Sequence, residues 1–230
     1  MVLFDDLISL EDFLKFQLLK KGAESEIRLG NFLDTKAIYK IRIKKEYMEE
    51  ELDKELRYYR TKKEAKILSI SFINNVNVPR IYAVYPSIGV IVMEYINGIT
   101  LKDLLINSNE ESLKFSYLAG KELAKIHKSG IVHNDFTTSN IIIKDQSAYI
   151  IDFGLSEYSV NIEDRAVDIH LYKRAVESTH AKISSIVFNE FLKGYIDYFG
   201  SDKGEEVIKR SKEIELRGRY VGERRTVWKP

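Results

Sequence analysis

Three oxygen-bearing side chains in a fixed order carry the chemistry of this 230-residue chain: Asp135, Asn140 five residues later, and Asp152 twelve residues after that. His133 and Asn134 precede the first aspartate, and Phe153-Gly154 follows the second. A carboxylate that takes a hydroxyl proton, followed by an amide and a carboxylate that hold a hard divalent cation, is the equipment of phosphoryl transfer. Magnesium binds oxygen at short distance and keeps several waters, so a protein supplies one or two ligands and nucleotide phosphates supply others. Asn140 and Asp152 suit that role, and Asp135 suits the proton acceptor. The apolar stretches Ile141-Ile142-Ile143-Lys144 and Ala148-Tyr149-Ile150-Ile151, joined by Asp145-Gln146-Ser147, predict a hairpin. Its ends lie together, so Asn140 and Asp152 can converge on one ion.

The same order of residues forms the protein-kinase signature H-R-D-x-x-x-x-N followed by D-F-G. A site of this kind also needs a lysine on the third strand of a small lobe, paired with a helix glutamate, to grip phosphates. Lys40 is the candidate, with Lys44 and Lys45 close behind it as surface neighbours. Glu64, beside Ala65 where the more apolar turns of a charged helix begin, is the candidate glutamate, and Glu55 competes with it. Gly22-Ala23-Glu24-Ser25, between the first two predicted strands, is the candidate phosphate-covering turn, although it has one glycine where G-x-G-x-x-G has three. Lys21 and Ser25 add side-chain donors there. Glu94 and Ile96, from the stretch joining the two parts of the chain, complete the candidate nucleotide contacts.

Apolar texture shows how these residues are carried. Segments around Gln17, Ile27-Arg28-Leu29 and Ala37–Ile41 read as strands, Glu49 to Leu68 as a helix, and Ile81–Tyr85 and Val90–Met93 as two further strands. That makes a five-stranded sheet with one helix. After Asn97-Gly98, periodic apolar positions from Leu101 to Ile126 predict helices. The reading is α+β: an N-terminal nucleotide-binding lobe over residues 1–96 and a helical catalytic lobe over 97–230. Asn134 stands where the signature has an arginine that commonly pairs with a phosphorylated loop, and no proline occurs between Pro86 and Pro230 to supply A-P-E. A helix start at Glu163-Asp164 leaves little room for a regulatory loop.

Composition narrows the partners. With 44% hydrophobic residues the chain can bury a substantial core, and a formal charge of +1 gives no global argument for nucleic acid or membrane. The lack of cysteine excludes disulfides and thiolate metal sites. The acidic start and the lack of an apolar run of spanning length lead us to expect a soluble, cytoplasmic protein with no membrane contact. One local basic patch exists: Arg217, Arg219, Arg224, Arg225 and Lys229 face only Glu223, with Tyr220 and Trp228 interleaved. His127, His170 and His180 lack metal-ligand spacing and read as packing or surface residues, whereas His133 reads as a brace for the catalytic loop.

Taken together, Gly22-Ala23-Glu24, Gly130 to Asn140, Asp152-Phe153-Gly154-Leu155-Ser156 and Arg217-Gly218-Arg219 resemble the small atypical kinase subunit of the KEOPS complex, the family of the p53-related protein kinase. Glu163-Asp164, Ala166-Val167-Asp168 and Ser178-Thr179-His180 extend the resemblance, which runs from about Leu18 to Arg225. It implies a compact two-lobed kinase fold, ATP and Mg²⁺ as cofactors, and association with the Kae-type subunit and other KEOPS subunits that make threonylcarbamoyladenosine in tRNA. It further suggests that the basic tail contacts the catalytic site, the partner or tRNA, although Tyr220 and Val221 replace the basic residues that the family's Arg-Gly-Arg-Lys-Arg pattern carries. The expected activity is Mg²⁺-dependent phosphoryl transfer from, or hydrolysis of, ATP. The rival readings are a small-molecule phosphotransferase, which Phe153-Gly154 argues against, and a nucleotide-binding scaffold, which the complete Asp135, Asn140 and Asp152 set argues against.

Overall fold

The structure, a computed structural model, describes residues 9–106 and 110–227. The side chains of the tail residues Arg219, Tyr220, Arg224 and Arg225, and the terminal Trp228 and Lys229, lie outside the described set. The chain divides into two units, one built from residues up to Phe72 with Val78–Asn97, the other from Ile73–Asn77 with Gly98 onward.

The first unit contains a short helix α1 (Leu10–Leu14), strands β1 (Gln17–Lys21), β2 (Ser25–Phe32) and β3 (Thr35–Arg42), helix α2 (Glu50–Ile73), and strands β4 (Ile81–Tyr85) and β5 (Val90–Glu94). The strands form one antiparallel sheet in the order β1-β2-β3-β5-β4. Side chains alternate across a strand, and β3 shows the consequence. Ala37, Tyr39 and Ile41 pack with Phe13, Val90 and Val92 on one face. Ile38 packs with Ile91, Met93 and Ala65 of α2 on the other. Lys40 and Arg42 share the parity of Ile38 and are turned to the α2 side. On α2 the buried positions Thr61, Glu64, Ala65, Leu68 and Ser71 recur every three or four residues, which gives the helix one inward stripe and a charged outer face.

The second unit begins with β6 (Ile99–Thr100), α3 (Leu101–Ile106), α4 (Glu110–Lys128) and β7 (Ile131–Val132). A turn of 3₁₀ helix at Thr138–Asn140 leads into β8 (Ile141–Lys144) and β9 (Ser147–Ile150), followed by β10 (Glu157–Tyr158), α5 (Ile162–Thr179), α6 (Ser184–Phe199) and α7 (Ser201–Val227). The expected hairpin is tighter than the sequence suggested. Asp145 and Gln146 both take positive φ (47° and 62°), a two-residue turn that matches strand twist, so Ser147 already belongs to β9. The core gathers around Phe136, Tyr172, Phe191 and Tyr195, all fully buried, with Tyr172 stacked on Phe191 at 3.9 Å. Helices α4 and α6 cross through glycines: a Cβ on Gly120 would stand 2.0 Å from the Phe191 carbonyl, and one on Gly194 would stand 1.9 Å from that of Tyr117. The residues from Arg217 onward, read from sequence as a tail, continue α7 as far as Val227.

Candidate active site

The loop that carries Asp135 is held from beneath by one buried carboxylate. Asp168 of α5, fully buried, accepts the backbone N–H of His133 on Oδ2 (2.7 Å) and that of Asn134 on Oδ1 (2.7 Å). Oδ2 also lies 3.1 Å from His127 Nε2, which must be the donor because a carboxylate only accepts. His127 Nδ1 then accepts from the Tyr195 hydroxyl at 2.8 Å. His133 is fixed in the same manner: Nε2 donates to the Ile151 carbonyl at 3.3 Å and Nδ1 accepts the Asp135 N–H at 3.3 Å. Burial holds both imidazoles below the usual histidine range, despite the opposing pull of Asp168, so both are neutral. Neutral tautomers satisfy every one of these bonds.

Asn140, nearly buried, places Nδ2 2.8 Å from Asp135 Oδ2 and 2.9 Å from the Asp135 carbonyl. The amide nitrogen orients the aspartate, which leaves Oδ1 as the atom suited to a cation. The hairpin register, Ile141 opposite Ile150, continues into a bond from the Ile151 N–H to the Asn140 carbonyl (2.9 Å). Asp152 is therefore one residue beyond the partner of Asn140. It adopts φ +65°, and its Oδ1 accepts the Gly154 N–H at 3.3 Å. An amide oxygen and a carboxylate are hard donors fit for magnesium. Among the described residues no group of three or more His, Asp or Glu is arranged to hold a metal. An ion here thus depends on further oxygens, such as phosphate and water, for its remaining ligands.

The first unit carries the other cluster. Lys40 Nζ lies 2.6 Å from Glu64 Oε1, and Arg42 Nη2 lies 2.6 Å from Glu64 Oε2, with all three side chains buried. Glu55, the competing glutamate, is exposed. The Gly22–Ser25 turn is closed by the Gly22 N–H donating to the Ser25 carbonyl at 2.9 Å. Glu24 turns its carboxylate to Arg60 of α2 (2.8 Å) and to Lys45 (3.3 Å), and the Arg60 bond holds its pKa below the usual range. What this turn offers an anion is therefore backbone rather than the Glu24 side chain. Lys21 pairs with Glu26 at 3.4 Å, and Lys44 with Glu50 at 3.1 Å. Glu94 accepts from the Arg80 N–H at 3.3 Å, and Ile96 is buried.

Sequence reasoning missed three members of this arrangement. Asp168 was read only as part of a helix start, and nothing local ties it to a loop more than thirty residues earlier. His127 was read as packing or surface; it does pack, and it also supports Asp168. Arg42 was overlooked, although its spacing of two from Lys40 on one strand puts both on one face.

Fold and side-chain arrangement define a protein of the protein-kinase-like class. Among solved structures the chain resembles the Rio2 kinase of Chaetomium thermophilum, with TM-score 0.60 at 15% identity over 92% of this chain and 78% of that one. The structure of WaaP in complex with acyl carrier protein gives TM-score 0.59 at 10% identity over 90% and 91% of the two chains. The ABC1 atypical kinase-like domain matches residues 24–187. The KEOPS complex subunit Bud32 of Pyrococcus abyssi is 47% identical over 211 residues, covering 89% of this chain and 96% of that protein. A probable bifunctional tRNA threonylcarbamoyladenosine biosynthesis protein of Methanococcus vannielii is 40% identical over 216 residues, 94% of this chain and 38% of its own length. The chain belongs to the Bud32 family of atypical kinases.

Proposed function

We propose that this protein is an atypical serine/threonine kinase or ATPase that works on ATP in support of KEOPS-dependent threonylcarbamoyladenosine modification of tRNA. The observation that carries the chemistry is the Asp135–Asn140 contact on a loop whose backbone is gripped by Asp168. Asp135 is aimed by an amide that cannot titrate, and it positions or deprotonates a hydroxyl or a water. Asn140 Oδ1 and Asp152 would hold Mg²⁺, which when bound neutralises charge on the phosphates. Lys40, steadied by Glu64, would grip the phosphates, and the Gly22–Ser25 backbone would cover them. Glu94 and Ile96 belong to the proposed nucleotide contacts by their place at the end of β5 and just beyond it. The name of the Pyrococcus relative supports membership of the same complex, and the Kae-type subunit and tRNA are its proposed partners. No helix among the described residues is long and apolar enough to cross a membrane, and we assign the protein to the cytoplasm.

The test follows phosphate from radiolabelled ATP, with and without the Kae-type partner, and scores release to water alongside transfer to protein. Asp135→Ala should leave Mg·ATP binding largely intact and lower turnover by about 10³-fold, whereas Asp152→Ala should weaken metal-dependent nucleotide binding itself. Equal loss of binding in both variants, read by calorimetry with and without Mg²⁺, overturns this division of roles.

A further inference from the structure

The segment after Asp152-Phe153-Gly154 is short and bonded along its length to the strand and loop that lead into Asp135. Ser156 Oγ donates to the His133 carbonyl (3.1 Å), β10 pairs with β7 through Glu157 opposite Val132 and Tyr158 opposite Ile131, and the Ser159 N–H donates to the Gly130 carbonyl (3.0 Å). Asn134 adds a side-chain link. Its Nδ2 donates to the Leu155 carbonyl (3.2 Å) and to Glu157 Oε1 (3.0 Å), while its own N–H is held by Asp168. The residue sits at φ +62°, in the left-handed region where glycine is unstrained and asparagine is among the best tolerated of the rest. A glycine would meet the backbone requirement; what asparagine adds is these two bonds.

In kinases with arginine at this position, order in the following segment commonly comes from an ion pair with a phosphorylated residue. Here a neutral amide reaches an unmodified carbonyl and a carboxylate already present in the chain. Ser156 is buried and its hydroxyl is engaged by His133, so no phosphate acceptor is presented to the loop from that position. We propose that Asn134 is a positioning residue that fastens Leu155–Tyr158 to the catalytic loop without any phosphate, so that this half of the site is assembled constitutively. The consequence for turnover rests on the phosphotransfer reading above, but the fastening does not.

The experiment uses the full chain and two readouts, amide hydrogen exchange and ATP turnover. Asn134→Gly, which leaves the backbone unstrained, should speed exchange of the Ser156, Glu157 and Tyr158 amides by about tenfold, the scale of one or two lost hydrogen bonds. It should lower kcat by a similar factor of about ten while the KM for ATP stays within about twofold. Glu157→Gln keeps an acceptor oxygen and should retain the wild-type exchange pattern. Phosphatase treatment of the wild-type protein should leave turnover unchanged. Unchanged exchange in Asn134→Gly, or turnover lost on phosphatase treatment, overturns the proposal. A wild-type protein that turns over no ATP would instead overturn the phosphotransfer reading, and the exchange comparison would still decide whether Asn134 fastens the segment. If Asn134→Gly fails to fold, Glu157→Ala, at an exposed position, replaces it with the same exchange criterion.

Discussion

Glu64 is one carboxylate shared by two buried cations, and its two neighbours are not equivalent. Removing Lys40 leaves the glutamate paired with Arg42, whereas removing Glu64 strips both cations of the acceptor they share. Breaking a buried ion pair by deleting one partner typically costs about 3–5 kcal/mol because the other charge stays buried. Glu64→Ala should therefore lower the urea midpoint by the equivalent of about 3 kcal/mol, and Lys40→Ala by about 1 kcal/mol. Turnover should fall by about 10²-fold or more in both. Equal midpoints for the two variants would mean that Arg42 does not share the pair. Lys40 was legible because a period of two makes the third strand countable, and Glu64 because an apolar turn began beside it. Arg42 was not, since a second cation on the same strand looks like surface charge until its burial is known. A pH effect arises from two buried histidines, His127 on α4 and His133 on the catalytic loop. His127 and His133 are neutral in the fold because burial depresses their pKa, while in the unfolded chain each titrates near the ordinary value of about 6.5. Below that pH the unfolded state binds more protons, so this stability is fully present above about pH 6.5 and is lost as pH falls toward the depressed folded values, by up to about 1.4 kcal/mol per pH unit for each group. Thermal midpoints should drop between roughly pH 7 and pH 5, and His127→Gln should show a shallower fall; an identical slope in that variant would remove His127 from the account.

The shortest elements were the least legible. Helix α2 and the five strands of the first sheet announce themselves by periodicity, but β6, β7 and β10 have two residues each and no period to detect. Their existence depends on tertiary bonds, such as the β7–β10 pairing beneath the catalytic loop. The close passage of α4 over α6 was equally hidden, because a glycine inside a helical pattern reads as a weak spot until its neighbour is known. Three helical glycines separate the two meanings. At Gly194 a methyl group would meet the Tyr117 carbonyl at 1.9 Å, a backbone atom that cannot swing aside. At Gly204 on α7 the nearest atom that an added methyl carbon would meet, Ile196 Cα, is at an ordinary 3.4 Å. Gly194→Ala should destabilise by about 3 kcal/mol or fail to fold, as overpacking against backbone does. Gly204→Ala should stabilise by roughly 0.5–1 kcal/mol, since it removes only the helix-interior penalty of glycine. Gly120→Ala, meeting the Phe191 carbonyl at 2.0 Å, should behave like Gly194→Ala. Denaturant titration of the three variants checks this, and a Gly194→Ala protein as stable as the wild type would show that the two helices can move apart at little cost.

At the scale of the molecule, the sequence at the end of α7 concentrates positive charge. Its inner face is used early: Val207, Ile208 and Ser211 are buried, and Arg217, itself exposed, reaches Glu163 of α5 at 3.5 Å. The following residues carry Arg219, Arg224, Arg225 and Lys229 against Glu223, an excess of positive charge close to Trp228 and Tyr220. Among the residues whose burial is described, Ser211 is the last buried one on α7, and the arginine-rich sequence that follows is suited to contacts with the proposed partners, which supply two kinds. Contact with tRNA phosphates releases counterions, so affinity should fall steeply between about 50 and 200 mM salt, while a protein contact anchored by Trp228 should change little over that range. Removing Gly218 to Pro230 spares the Arg217–Glu163 pair and every buried residue of α7 described above. The truncated protein should therefore melt within about 2 °C of the full chain. It should also bind the Kae-type partner or tRNA less tightly, and the salt dependence lost with the tail identifies which of the two it served. Unchanged binding in both assays would assign the segment to solvent, and a collapsed melting transition would place it in the core.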